Sequence, residues 1–329
     1  MAAVNSNLQA GAGRRRTVSL VVPVFNEQHG IAPFLAAIRS TLAPLAATIR
    51  TDLVFVNDGS SDGTEQVLRA LAASEPDVTV INLSRNFGKE AALSAGIFHA
   101  TGDAVIPIDV DLQDPPDLIP QMIARWQAGA MVVNARRAER VNDSWIKRQS
   151  AKAFYRMFNL LAERPIPDNV GDFRLLDRQV VDVIRNFGER SRFNKEIFSW
   201  AGFETEELLF ERPARDTGTS AWSYWKLWKL ALDGIFASST LPLRFWSYFG
   251  FAMFLVSILF ALFILLRTLF FGIDTPGYAS TIIAVVTFGG LNLFALGLLG
   301  EYVGRIYTEV RQRPLFVVRS IVTGKPAED

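Results

Sequence analysis

The chain has 329 residues, half of them apolar and a fifth charged, with 34 basic against 33 acidic side chains and a formal net charge of +1. That balance creates no global field for nucleic acid, which is not expected as a partner. The lack of cysteine excludes disulfides, zinc–thiolate centres and cysteine nucleophiles, and two histidines far apart in sequence, His29 and His99, argue against a Ser-His-Asp triad.

Residues 1–16 are polar, contain glycine and end in three arginines, which reads as a flexible tail rather than a signal peptide. From residue 17 to residue 134 short apolar runs alternate with helical patterns. The runs 18–25, 52–57, 78–83, 103–108 and 130–134 read as strands, and 31–42, 63–73, 90–100 and 116–128 as helices with apolar residues three and four apart. This alternation predicts βαβ units and an α/β fold with a mostly parallel sheet.

The first strand ends in PVFNE, without the glycines that a dinucleotide fold sets beside a pyrophosphate, so an oxidoreductase of that type is disfavoured. The second ends in VNDGSSDGT. Asp58 stands at its tip, where a carboxylate can accept a base or ribose hydrogen bond, and Asp62 reads as a helix cap. The fourth runs into DVDLQDPPD, placing Asp109 and Asp111 one residue apart with Gln113 behind them, and Pro115 and Pro116 suit the start of the next helix. In an open α/β sheet ligands bind at the carboxyl ends of the strands. Two carboxylates and an amide oxygen suit a hard divalent cation that also holds substrate phosphates. The pattern points to a metal-dependent enzyme acting on a nucleotide diphosphate.

Segment 145–161 keeps its apolar positions on one helical face and carries Lys147, Arg148, Lys152 and Arg156 on the other, as a helix lying on an anionic membrane does. Segment 222–236 clusters Trp222, Trp225 and Trp228 with Lys226 and Lys229, a headgroup-level composition. Two uncharged stretches follow, 245–266 and 278–299. At about 1.5 Å per residue each reaches about 33 Å, enough for a hydrocarbon core of about 30 Å. The short connection carries Arg267 against Asp274, whereas Lys226, Lys229 and Arg244 precede the pair and Arg305, Arg311 and Arg313 follow it, so both ends are expected on the cytoplasmic side. Gly289, Gly290, Gly297, Gly300 and Gly304 allow close helix contact, the basis for expecting a homo-oligomer through the hairpin. The expected organisation is a flexible tail (1–16), a catalytic domain (17–215) that includes the interface helix 145–161, a juxtamembrane interface helix (216–244), a two-helix transmembrane hairpin (245–299) and a cytoplasmic tail (300–329).

With PVFNE, VNDGSSDGT and PIDVDLQDPPD in order at successive strand ends, the chain resembles glycosyltransferase family 2, which has the GT-A nucleotide-sugar fold. LSRNFGKEAALSAG, GDFRLLDR, TSAWSYWKLWKLALDGI and the final hairpin resemble its polyprenyl-phosphate glycosyltransferase branch, with bactoprenol glucosyltransferases near and dolichol-phosphate mannose synthase more distant. The resemblance covers residues 17–316. It implies that Pro23, Phe25, Glu27, Asp58 and Asp109 hold the nucleotide, and that Asp109, Asp111 and Gln113 bind Mg2+ or Mn2+ with the diphosphate. Asn57 departs from the aspartate that many members carry there and makes a poor metal ligand.

The resemblance further implies a nucleotide-sugar donor and a membrane-borne polyprenyl phosphate acceptor in a bacterial inner membrane, with the catalytic domain cytoplasmic. A phosphate monoester, with a second pKa of about 6, is already largely dianionic near neutral pH. It needs positioning and charge screening more than deprotonation, for which Arg136, Arg137, Arg148, Arg215 and Lys226 are candidates. Asp172, with Arg174 beside it and Asp111 on the metal, is the catalytic candidate; it either activates the acceptor as a base, orients Arg174 or caps a helix. Attack by one oxygen predicts inversion at the anomeric carbon. UDP-glucose leads as donor; UDP-galacturonic acid, UDP-GlcNAc, a 4-amino-arabinose derivative and GDP-mannose stay open. A hairpin offers no translocation pathway, so the product is expected to pass to a separate flippase. A sugar-polymer synthase is disfavoured by the missing Q-x-x-R-W motif, and a non-catalytic membrane scaffold by the intact Asp109, Asp111 and Asp172.

Overall fold

The structure, a computed structural model, describes residues 15–138, 170–187, 197–198, 200–210, 241–271 and 277–324, with the side chains of the two long C-terminal helices described in part. Arg148, Arg215, Lys226, the interface helix 145–161 and nearly all of the juxtamembrane and N-terminal segments lie outside these residues. The chain divides into two compact units, Met1–Tyr155 with Arg164–Ala221 and Pro314–Asp329, and Arg156–Glu163 with Trp222–Arg313.

The first unit is an α/β sheet with helices on both faces. In chain order it contains β1 (Arg16–Val24), α1 (Ile31–Leu42), β2 (Ile49–Asn57), α2 (Thr64–Ser74), β3 (Val78–Leu83), α3 (Lys89–His99), β4 (Ala104–Pro107), α4 (Ile119–Gln127), β5 (Val132–Arg137), β6 (Val170–Asp177), α5 (Arg178–Arg185), β7 (Thr205–Phe210) and β8 (Val318–Thr323). The eight strands run in the order β7-β5-β6-β4-β1-β2-β3-β8. Strands β4, β1, β2 and β3 are mutually parallel. They are buried on both faces, which is why β4 reads as an unbroken apolar run. One face packs Phe34, Phe55, Leu68, Ile119 and Met122 under α1, α2 and α4. The other packs Val21, Val56, Leu93, Val180 and Val181 under α3 and α5. Helix α3 approaches the sheet most closely at Gly96, where a Cβ would collide with Val21.

Three strands add to the expected pattern. GDFRLLD forms β6, antiparallel between β4 and β5. Strand β7 runs parallel to β5. The segment expected only as a tail returns as β8, antiparallel to β3, and closes that edge. A polar chain secures it: Asn57 Nδ2 donates to Asn82 Oδ1 (3.0 Å), Asn82 Nδ2 donates to Ser320 Oγ (3.2 Å), and Arg319 pairs with Glu65 (2.6 Å).

The second unit contains α6 (Leu241–Phe271) and α7 (Tyr278–Val310). They touch where the Trp246 and Phe294 rings lie 4.8 Å apart. Large apolar side chains stand exposed along both, among them Leu259, Phe260, Phe270, Leu293 and Val303. Among the described residues no helix is long and apolar enough to cross a membrane. The expected transmembrane hairpin is therefore not shown by the fold.

Candidate functional site

Strands β2 and β3 succeed β1 on one side of it, and β4 lies on the other. The strand order reverses between β1 and β4, and the crevice outside their carboxyl ends is where such sheets bind ligands. A cleft of about 290 Å³ opens there, lined by Pro23, Phe25, Glu27, Asp58, Gly88, Lys89, Asp109 and Asp111. A larger cavity of about 720 Å³ lies at the opposite ends of β1 and β2, around Arg15, Arg39 and Arg50. Arg39 there is committed to Asp77 and Glu75, and the switch point carries the carboxylates, so the smaller cleft is the candidate site.

The loops that build the cleft are locked by side chain to backbone hydrogen bonds. Asn26, with φ of 56°, accepts from the Ser61 amide (2.8 Å), while the Glu27 amide donates to Thr64 Oγ1 (2.9 Å) and the Gly63 amide to the Gln28 side chain (2.8 Å). These ties join the tips of β1 and β2 and aim Glu27 inward. Asp62, expected as the helix cap, stands one residue before the N-cap Gly63 and accepts from the Thr64 amide (3.0 Å), so it holds the turn into α2. After β4, Leu112 adopts φ of 55° and turns the chain so that the Gln113 amide donates to Asp111 Oδ1 (3.1 Å). A non-glycine residue in that region is strained, and such strain collects at functional sites.

Asp58, expected at the nucleotide, lines the cleft. It is 3% exposed, and its two oxygens accept from the Phe87 amide (2.7 Å) and the Gly88 amide (2.9 Å). It therefore orders the loop between β3 and α3. Asn57, likewise buried, accepts from the Ser60 amide (3.0 Å) and holds the β2 tip.

Lys89, the first residue of α3, is a site residue that sequence reasoning missed. Its ammonium lies 2.7 Å from Asp109 Oδ2 and 3.1 Å from Asp172 Oδ2. Burial pulls the ammonium pKa down, and attraction to Asp109 and Asp172 more than offsets this, so it stands above the ordinary lysine value. Asp172, in β6, thus pairs with Lys89. The alternative of helix capping does not hold: the cap of α5 is Asp177, which accepts from the Gln179 amide (2.9 Å). Asp172 Oδ1 is buried and has no hydrogen-bond partner among the described residues. Arg174 is 4% exposed, donates to Gly171 O (2.6 Å) and stacks 4.2 Å from the Phe198 ring. Burial pushes its pKa down to about 10. That setting suits a structural cation better than one that meets a substrate. Arg136, at the exposed end of β5, forms an ion pair with Glu207 (2.8 Å), and Arg137 follows it at the strand's last position.

Among the described residues no three histidine, aspartate or glutamate side chains gather to hold a metal by themselves. Asp109 and Asp111 on one turn nevertheless fit an Mg2+-like cation, which takes one or two protein carboxylates and leaves its other positions to water and substrate phosphates. Phe25, 45% exposed at the cleft edge, presents an apolar ring suited to a base.

Burial raises the Glu27 pKa above its ordinary value, with Asp111, Asp62 and Asp109 adding to the rise. A carboxyl raised in the folded state favours folding only while protonated, so its contribution is present below the ordinary glutamate pKa and is lost as pH climbs through the raised one. Glu27→Gln is therefore expected to raise the thermal midpoint at pH 7, with the gain shrinking as pH falls through the raised pKa and gone below the ordinary glutamate value. Melting curves of both proteins across that range check it; a drop in midpoint at pH 7 refutes it.

Residues 19–185 match the family described as Glycosyl transferase family 2. A bactoprenol glucosyl transferase derived from the SfII prophage of Shigella flexneri is 46% identical over 311 residues, 94% of this chain and 99% of that protein. An uncharacterized glycosyltransferase of Synechocystis is 46% identical over 304 residues, 92% of this chain and 95% of that protein. A prophage bactoprenol glucosyl transferase homolog of Escherichia coli is 44% identical over 304 residues, 92% of this chain and 99% of that protein.

Proposed function

This chain belongs to glycosyltransferase family 2, and on that premise we propose that it moves a hexose from a nucleotide diphosphate donor to polyprenyl phosphate with inversion. Glucose from UDP-glucose is the first choice of donor, for later modification of a cell-envelope glycan. The observation that carries this reading is the 46% identity to a bactoprenol glucosyl transferase across 94% of the chain, with Asp109, Asp111 and Asp172 all present.

In this reading Phe25 and Pro23 flank the nucleoside, and Glu27 closes the wall that both share with Asp109 and Asp111. Bound at Asp109 and Asp111, with Gln113 beside them, Mg2+ or Mn2+ supplies charge stabilisation to the departing nucleoside diphosphate. The acceptor phosphate arrives ionised, so the protein's task is to hold and screen it. Arg136 and Arg137, with Arg148, Arg215 and Lys226, are the cations assigned to that task. Asp172 orients and is itself held by Lys89.

Membrane attachment belongs to the same proposal. The uncharged stretches 245–266 and 278–299 fall within α6 and α7, whose exposed apolar side chains form a surface too extensive for water. Association of both helices with a bacterial cytoplasmic membrane, on its cytoplasmic side, covers that surface.

The test incubates membranes enriched in the protein with polyprenyl phosphate, Mg2+ and a panel of nucleotide sugars, and examines the lipid extract by mass spectrometry. The expected result is metal-dependent UDP release and a polyprenyl phosphate heavier by one hexose, obtained with UDP-glucose. Anomeric NMR coupling of that product should show a β linkage from the α-linked donor. An α-linked product overturns the inverting mechanism, and the absence of any glycosylated lipid overturns the transferase reading in favour of a scaffold.

A further inference from the structure

Metal-binding carboxylates that face each other without a metal repel, and a protein that waits for its metal needs something in that place. Here one of the two, Asp109, is held by the Lys89 ammonium, 2.7 Å from its Oδ2, and the same ammonium lies 3.1 Å from Asp172 Oδ2. Its position is fixed from behind. Asp58 holds the Phe87 and Gly88 amides, Gly88 turns at φ of 96°, and α3 starts at Lys89. Only the four-carbon stem remains free to move, and the side chain is about half exposed to the cleft (48%).

We propose that Lys89 is a positioning residue that occupies Asp109 in a cation's stead until a nucleoside diphosphate arrives, and thereby makes metal and nucleotide bind together. The proposal deepens the transferase reading above and rests on it. A divalent cation on Asp109 and Asp111 meets the ammonium at close range, and like charges at that separation repel. Without nucleotide, the cation therefore competes with Lys89 for Asp109, and among the described residues no third carboxylate gathers with the pair to compensate. A diphosphate changes the balance. Its negative charge gives Lys89 a second partner, releases Asp109 to the metal and supplies the metal's remaining oxygens. Asp172 keeps the ammonium in reach throughout. By linkage, whatever factor the nucleotide adds to metal affinity, the metal adds to nucleotide affinity. The device keeps the site from closing on a metal ion alone.

The experiment measures Mn2+ binding to the full chain in detergent micelles by electron paramagnetic resonance, with and without UDP. The unaltered protein is expected to bind Mn2+ weakly alone and much more tightly with UDP. Lys89→Met removes the competing charge, so its Mn2+ affinity without UDP should rise about tenfold and the enhancement by UDP should shrink by a similar factor. Lys89→Arg keeps a cation and should retain the enhancement. A role in packing alone predicts the opposite sign, a weaker site in Lys89→Met. Unchanged or weaker Mn2+ binding without UDP overturns the proposal, as does an undiminished enhancement. If Lys89→Met does not fold, Lys89→Gln carries the same test with a polar side chain. Unaltered protein that shows no Mn2+-dependent UDP binding refutes the transferase reading and this proposal with it. Normal coupling in the unaltered protein with an unaffected variant refutes this proposal alone.

Discussion

Replacing Asp109 and Asp111 together by alanine should lower turnover at least about a thousandfold and leave the fold standing. Removing a single group that stabilises developing charge costs about 10²–10³ in rate, and here both carboxylate donors to the cation go at once, leaving only the Gln113 amide oxygen. The fold should survive because the buried residues of this segment are its apolar neighbours, Ile106, Ile108 and Val110, which the substitutions do not touch. What Asp111 contributes locally is one hydrogen bond from the Gln113 amide, and what Asp109 contributes is half of the Lys89 pairing, the other half remaining on Asp172. Partly exposed ion pairs and hydrogen bonds of that sort contribute about 0–1 kcal/mol each. The check is UDP release with polyprenyl phosphate and Mg2+, beside a melting curve. A folded double variant that works at the unaltered rate would end the proposed function.

The parallel half of the sheet was legible because its strands are buried on both faces and its helices on one. Val18–Val24, Phe55, Ile81 and Val105 could only be strand interiors, and Phe34, Ile38 and Leu42 keep helical spacing against them. Strand β5 begins two residues later than its apolar run suggests, because Ala130 lies in the turn after α4, its amide bonded to Arg125 O (3.1 Å). Strand β8 was hidden. Its alternating exposure follows two long apolar helices in sequence, and its partner Asn82 lies 238 residues away from Ser320, a separation no local pattern encodes. The D-x-D pair announced itself by position after a strand. Lys89 did not, since a lysine at a helix start reads as an ordinary surface charge. The signal that marks it is the one used for Asp109: it too follows the carboxyl end of a strand of the parallel core, β3.

Asp58 gives the second large effect, and it separates two roles that the sequence leaves together. If the carboxylate only received a nucleoside, Asp58→Ala would weaken UDP binding and leave the melting midpoint unchanged. The structure instead commits both oxygens to the Phe87 and Gly88 amides, in a side chain that is 3% exposed. Alanine leaves two part-buried amide donors without that acceptor. Hydrogen bonds to charged groups contribute about 1.5–3 kcal/mol each, so a loss of about 3 kcal/mol is a low figure for the pair. For a unit of this size that lowers the midpoint by roughly 6–12 °C. Relaxation offers little relief. Gly59, at φ of 65°, already sits against the backbone of Arg85 and Asn86 with no room for a Cβ, so the β2 tip and the β3–α3 loop cannot shift independently. Asp58→Asn keeps one acceptor but sets its amide against the second donor, and it should fall between the two. UDP affinity should drop in both variants as well, because the loop that Asp58 holds carries Asn86, Gly88 and Lys89 into the cleft. A midpoint unmoved by Asp58→Ala, with UDP binding lost, would return Asp58 to the nucleoside and leave the placement of Lys89 without its support.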